Sequence, residues 1–183
     1  MTGDGADWAD VDFFWGDERF VPAGHADRND QQARDAFLTR LDVPETNIHA
    51  MPAHGCEQSL ADAADEYAAS LPEAPFDLVL LGMGPDGHIA SLFPGFAQLE
   101  ETQRRAVEVF DSPKPPPQRI SLTYPALNHA DSVWLLVSGA AKAGVVAEAL
   151  NGTDKAQIPA SGVHGTAETL WLLDHDAAQE ITA

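Results

Sequence analysis

Residues 76–95, FDLVLLGMGPDGHIASLFPG, set the most apolar short run of the chain against a turn with four glycines, one carboxylate and one histidine. An apolar run of this length without alternating polar residues reads as a strand covered on both faces, as in a parallel sheet. Three more such runs occur: VDFFW (11–15), SVWLLVSG (132–139) and TLWLLD (169–174). Between them, NDQQARDAFLTRL (29–41), EQSLADAADEYAASL (57–71) and AAKAGVVAEAL (140–150) have helical spacing and good helix formers. RAVEVF (105–110) and RISLTYPALNHA (119–130) add two strands and a short helix, and SPKPPPQR (112–119) is a stiff connection inside the domain. The 183 residues suffice for one such core. The pattern predicts a single α/β domain, doubly wound around a mostly parallel, Rossmann-like sheet flanked by helices.

Ligands of such sheets bind beyond the carboxyl ends of the strands, and this chain keeps its polar groups there. GDERF (16–20), GMGPDGHIA (82–90) and SGAAK (138–142) each follow a strand. Gly82, Gly84 and Gly87 permit positive φ and let a ligand approach the backbone. His88 and Asp86 stand two apart; a histidine is the natural base near neutral pH, and a carboxylate can fix its tautomer. The same residues read equally well as a cap and a turn former. Asp17, Glu18 and Arg19 cluster after the first strand, where Arg19 either grips a phosphate bidentately or joins a solvated ion pair. Lys142 opposes the dipole of the helix it opens, which asks for an anion nearby, a surface lysine being the alternative. Lys114 and Arg119 bracket the proline run and can face the same crevice.

Composition narrows the partners. With 29 acidic and 10 basic residues, the net charge of −19 argues against nucleic acid. It fits either adaptation to high salt or a solubility strategy, and it means that an anion site must be built from a few local cations. No run is long enough for a membrane helix, and the start MTGDGADWAD has no signal-peptide pattern. The single cysteine, Cys56, makes no intramolecular disulfide, so the cytoplasm is the expected compartment. HAMPAHGC (49–56) matches no structural zinc spacing, and His25, His129, His164 and His175 read as surface or turn residues. Ser91 follows His88 closely, but no G-x-S-x-G elbow accompanies it, and GMG lacks the rest of a dinucleotide fingerprint.

Taken in order, FFWGDERFVP with HADRND behind it, FDLVLLGMGPDGHIASLFPG, SPKPPPQRISLTYPALN and WLLVSGAAKAGVV resemble the 6-phosphogluconolactonases, within the wider family that includes the glucosamine-6-phosphate deaminases. The resemblance spans roughly residues 11–174. It implies hydrolysis of 6-phospho-D-glucono-1,5-lactone to 6-phosphogluconate, without metal or organic cofactor, by a monomer or weak homo-oligomer. By position, His88 matches the histidine that activates water, and Asp86 the acid that orients the site. Arg19 and Lys142 match phosphate-binding cations, and Arg119 the arginine after the proline-rich loop; Asp17, Gly84 and Gly87 fall within the matched substrate-binding segments. The deaminases continue G-H-I-A-F-N-E-P, whereas Phe93 stands here in place of that glutamate, so a deaminase-like isomerase is the disfavoured alternative. The family's opening helix, strand and S-G-G-[ST]-x-P phosphate loop find no match. The resemblance therefore implies an N-terminally truncated chain whose residues 1–10 are a disordered or non-native start, with sheet edges and apolar helix faces left uncovered. A non-catalytic sugar-phosphate-binding fragment is the third reading. Smaller departures are Arg28, where the family has Ser, and ASGVHG (160–165).

Overall fold

The computed structural model describes residues 7–55 and 58–181, so Cys56 and the first six residues lie outside it. In chain order the elements are β1 (Phe13–Phe14), β2 (Asp17–Arg19), α1 (Asn29–Ala36), β3 (Ile48–His49), α2 (Leu60–Ser70) and β4 (Phe76–Gly82). They continue with β5 (Ala106–Val109), β6 (Arg119–Leu122), α3 (Tyr124–Leu127), β7 (Ala130–Val137), α4 (Ala143–Leu150) and β8 (Glu168–Leu173). The strands form a parallel β1-β3 pair, a parallel β4-β7-β8 sheet and an antiparallel β2-β6-β5 sheet. The α/β class and the parallel sheet stand as the apolar runs predict. The antiparallel sheet is an addition, because the charged DER stretch, expected as a loop, is itself a strand paired with β6.

Several boundaries move for local reasons. The helix expected over 29–41 ends at Ala36, where Phe37 turns to φ −149°, and a separate 3-10 turn follows over Leu38–Leu41. The helix expected from 140 begins as a 3-10 turn, Ala140–Lys142. Ser59 and Asp62 form a capping box that starts α2 three residues after the expected point. Residues 7–10, read from the sequence as part of a featureless start, are ordered. Asp7 caps the 3-10 turn Trp8–Asp10, Trp8 stacks on Phe13, and Asn47 donates to the carbonyls of Ala9 and Val11.

One apolar core joins the inner face of the parallel sheet to α2, α4 and the β5-β6 strands. Leu81, Val133, Leu135 and Val137 point into it together with Val146 of α4 and Tyr67 of α2. The Tyr67 hydroxyl accepts from the amide of Trp15 and donates to its carbonyl, which fixes the chain just ahead of Asp17.

The opposite face of the parallel sheet is bare among the described residues. Register places Leu78 and Leu80 beside Ser132 and Trp134, and Trp134 and Leu136 beside Leu170 and Leu172. Leu78, Leu80, Leu136 and Leu172 are 40%, 59%, 49% and 44% exposed. The continuous apolar pattern had implied cover on both sides, so the sequence is built for a covered sheet and this face lacks its cover. A groove of about 420 Å³ beside it runs between the free edge of β4 and β1, lined by Trp8, Phe13, Phe14, Trp15, Phe76 and Leu80.

The two faces predict opposite responses. Leu80→Gln should change the unfolding free energy by no more than about 0.5 kcal/mol while reducing binding of a hydrophobic dye. Leu81→Ala, one residue along and buried, should cost about 2–5 kcal/mol. Urea titration with dye fluorescence checks both, and equal costs would contradict the assignment of faces.

Candidate active site

The turn after β4 is built around a histidine–carboxylate pair. The amide of Gly84 donates to the His88 carbonyl at 2.9 Å and that of Gly87 to the Gly84 carbonyl at 3.0 Å, closing the loop on itself. Asp86 Oδ1 lies 2.5 Å from His88 Nδ1. A Cβ on Gly84 would overlap the His88 ring and crowd the Asp86 carboxylate, so glycine here is a condition for the pair. Gly87, at φ +80°, faces Ile158 and Val145; a Cβ would lie 2.8 Å from Ile158 Cγ2 and 3.1 Å from Val145 Cγ2. The sequence suggested that these glycines admit a ligand to the backbone. In the fold the space at Gly84 is taken by the pair itself and that at Gly87 by Ile158 and Val145, while the space at Gly82 is open.

With Nδ1 committed to Asp86, His88 Nε2 has no partner among the described residues, and the side chain is 14% exposed. Nε2 is thus the ring nitrogen left open to a ligand or water. Burial pushes the Asp86 carboxyl up, but the hydrogen bond and charge of His88, aided by backbone N–H groups, outweigh it and hold the carboxyl below its ordinary range. Phe93, fully buried, packs against the imidazole with ring centroids 4.7 Å apart.

The charged cluster on β2 faces two ways. Glu18 points inward at 1% exposure and accepts from the amides of Arg19, Asn29 and Asp30, with Arg28 at 3.9 Å. Burial pushes its carboxyl up, while those amides and the Arg28 charge pull against it. Asp17 and Arg19 lie on the other face, opposite Ser121 and Arg119 in the antiparallel register. Asp17 accepts from the Ser91 hydroxyl at 2.6 Å and from Asn29 Nδ2, and its carboxylate is 3.6 Å from the Arg119 guanidinium. The loop carrying His88 is thus bonded to the strand carrying Arg19.

The cations differ in what they have left to offer. Arg119 is buried; its Nε donates to the Pro116 carbonyl, its Nη2 to Lys114 and Pro115, and its Nη1 faces Asp17. Its guanidinium braces the proline-rich loop. Among the described residues Arg19 uses only Nη1, on the Asp27 carbonyl and Asn29 Oδ1, and its Nε is buried without a partner. It lines a cavity of about 420 Å³ with Asp27, Gln32, Pro115 and Pro116. Like-charged Arg19 and Arg119 stand directly opposite each other, a pairing that favours an anion between them. Lys142 makes no hydrogen bond or ion pair among the described residues and sits three residues before Val145, against which Gly87 packs. The Gly139 amide, ahead of the turn that ends at Lys142, is taken by both carboxylate oxygens of Asp174 at 3.1 Å. That bond and the Ala177 amide hold the Asp174 carboxyl low.

Asn29, Ser91, Glu18 and Arg28 were not singled out as site residues. Their sequence signals are faint, because each acts through a partner distant in the chain: Ser91 and Asp17 are 74 residues apart.

A family model described as Glucosamine-6-phosphate isomerases/6-phosphogluconolactonase matches residues 2–171. The 6-phosphogluconolactonase of Mycobacterium leprae is 48% identical over 189 residues, covering 98% of this chain and 76% of that protein. The crystal structure of the 6-phosphogluconolactonase of Thermotoga maritima matches with a TM-score of 0.80 at 30% identity, over 91% of this chain and 73% of that one. A monomeric glucosamine-6-phosphate deaminase, at a TM-score of 0.70 and 22% identity over 90% of this chain and 72% of that one, shares the fold.

Two outcomes test the pair. Gly84→Ala should break the Asp86–His88 bond and abolish the downfield Nδ1 proton resonance that the bond predicts; its persistence would refute the role of Gly84. Because the native Asp86 carboxyl lies below its unfolded value, its contribution to stability is complete above the unfolded value and is lost as pH falls through the native one. The stability difference between the native chain and Asp86→Asn should therefore shrink as pH falls below about pH 4. Urea midpoints across pH measure it, and a difference unchanged down to about pH 3 would contradict the shift.

Proposed function

The chain belongs to the glucosamine-6-phosphate isomerase/6-phosphogluconolactonase family, and on that premise we infer that it hydrolyses 6-phospho-D-glucono-1,5-lactone to 6-phosphogluconate, the second step of the oxidative pentose phosphate pathway. The observation that carries the reading is the Asp86–His88 pair with its free Nε2, on a loop bonded through Ser91 to the strand that bears Arg19. Arg19, through its unpartnered Nε and Nη2 edge, and Lys142 hold the 6-phosphate and bring the lactone carbonyl to His88. His88 Nε2 takes a proton from water as the water oxygen bonds to C1. The tetrahedral centre then collapses, the bond from C1 to the ring oxygen breaks, and the imidazolium returns its proton to that oxygen. Asp86 accepts from Nδ1–H throughout and stabilises the imidazolium. Arg119 and Asp17 keep the proline-rich loop and the two charged loops in register.

Phe93 separates this reading from aldose–ketose chemistry. A phenyl ring packed on the imidazole supplies no proton where an isomerase uses a carboxylate. The expected cytoplasmic location and monomeric or weakly associated state belong to the same proposal.

His88→Ala should lower kcat by about 10²–10⁴-fold in a chain that still folds and unfolds cooperatively. Arg19→Ala should instead raise KM for the phosphorylated lactone about tenfold to a hundredfold. Both are read as acid release from fresh lactone above the spontaneous rate. Retention of more than half the rate in His88→Ala would remove His88 from the mechanism.

A further inference from the structure

We propose that Asn29 is a positioning residue for the substrate phosphate, turning the guanidinium of Arg19 so that its two-donor edge is presented to the anion; this rests on the phosphate-binding role of Arg19 proposed above. A primary amide donates at one end and accepts at the other, and Asn29 uses both ends. Its Nδ2 donates to the Asp17 carbonyl at 2.8 Å and to Asp17 Oδ1 at 3.2 Å, and its Oδ1 accepts from Arg19 Nη1. The Asp27 carbonyl accepts from the same Nη1 at 2.9 Å. Both hydrogens of Nη1 are therefore committed. What remains is the Nε and Nη2 edge, two parallel donors at the spacing of two phosphate oxygens. Nε is buried without a partner, and the residue lines the cavity between α1 and the proline-rich loop.

The amide is itself anchored at both ends of its own residue. Its backbone N–H donates to Glu18 at 2.7 Å, and Asp17, which receives its side chain, is fixed from the far side by Ser91. Ser91 is fully buried, and its amide donates to the Ser121 hydroxyl. The chain Ser91–Asp17–Asn29–Arg19 thus runs from three residues beyond His88 to the phosphate edge. An aspartate at position 29 would keep the acceptor for Arg19 but lose the donor to Asp17, set two carboxylates side by side and place a negative charge beside the anion.

Inorganic phosphate is the probe. Phosphate should raise the melting midpoint of the native chain and inhibit it competitively. In Asn29→Ala, phosphate affinity by both readouts should fall about tenfold, and KM for the phosphorylated lactone should rise by a similar factor with kcat within about twofold. Asn29→Asp should weaken phosphate binding further than Asn29→Ala. Hydrolysis of unphosphorylated glucono-1,5-lactone should be the same in the native chain and both variants. Equal losses on the two lactones, or unaltered phosphate affinity, would overturn the proposal. If Asn29→Ala does not fold, Ser91→Ala carries the test, with a smaller loss of phosphate affinity in the same direction; an unchanged affinity there overturns it too. A native chain that is stabilised by phosphate but turns over no lactone would refute the functional reading alone, because the loss of phosphate affinity in the variants is measured without turnover.

Discussion

The buried carboxylate of Glu18 is the point from which the charged half of the site is hung. One residue of β2 accepts from the amide of its neighbour Arg19 and from the first two amides of α1, eleven and twelve residues away. Helix N-terminal amides are unpaired by construction and carry a partial positive charge, so a carboxylate delivered from another element satisfies them and is itself stabilised. Arg28 stands just before that helix and is spent on Glu18, Asp30 and the Met51 carbonyl. Removing one partner of such a buried set leaves an uncompensated charge, at a cost of about 3–5 kcal/mol. The helix is therefore locked to the strand, and with it the spacing of Asn29, Asp17 and Arg19.

This lock supports the proposal that a strongly acidic chain holds an anion. The global field repels phosphate, so attraction must be local and the cations must be kept from the many carboxylates around them. Arg28 and Arg119 are buried and saturated, one by acids and a carbonyl, the other largely by the carbonyls of the proline-rich loop. Asp17, the carboxylate nearest Arg119, is further occupied by Ser91 and Asn29. Arg19 is held by a carbonyl and an amide, neutral acceptors that leave its charge unpaired. Of these three arginines, Arg28 and Arg119 brace the loops and Arg19 keeps donors without a partner among the described residues.

The parts of this architecture that were legible in the sequence are the ones with a short period. Apolar runs at 76–82, 132–139 and 169–174 became β4, β7 and β8 with shifts of at most two residues, because burial of consecutive apolar residues is a local signal. The His88–Asp86 pair was legible for the same reason, lying two residues apart in a turn that only glycines permit. What was not legible has long loops between its partners. A three-residue strand of Asp, Glu and Arg has no apolar signature, and it pairs because β6 offers a partner edge a hundred residues on. The Gly139 amide is bound by Asp174, thirty-five residues later, a contact with no local signal. The expectation of cover on both sides of the sheet failed on Leu78 and Leu80, since an apolar run reports what a strand needs and not whether the need is met.

The position of Phe93 bears on how one fold serves two chemistries. The loop from Gly82 to Gly95 fixes His88 by its own backbone bonds and by Asp86, so the histidine is set before anything further along the chain is considered. Phe93 then decides what lies next to it. A carboxylate there would add a second proton donor and acceptor within reach of a sugar carbon, which ring opening and isomerisation require. A buried phenyl, itself stacked against Phe96, offers only contact and exclusion of water from one side of the ring. A single base that takes a proton from water and returns it to a leaving oxygen needs nothing more, because both transfers occur at the same nitrogen and the ester supplies its own leaving group.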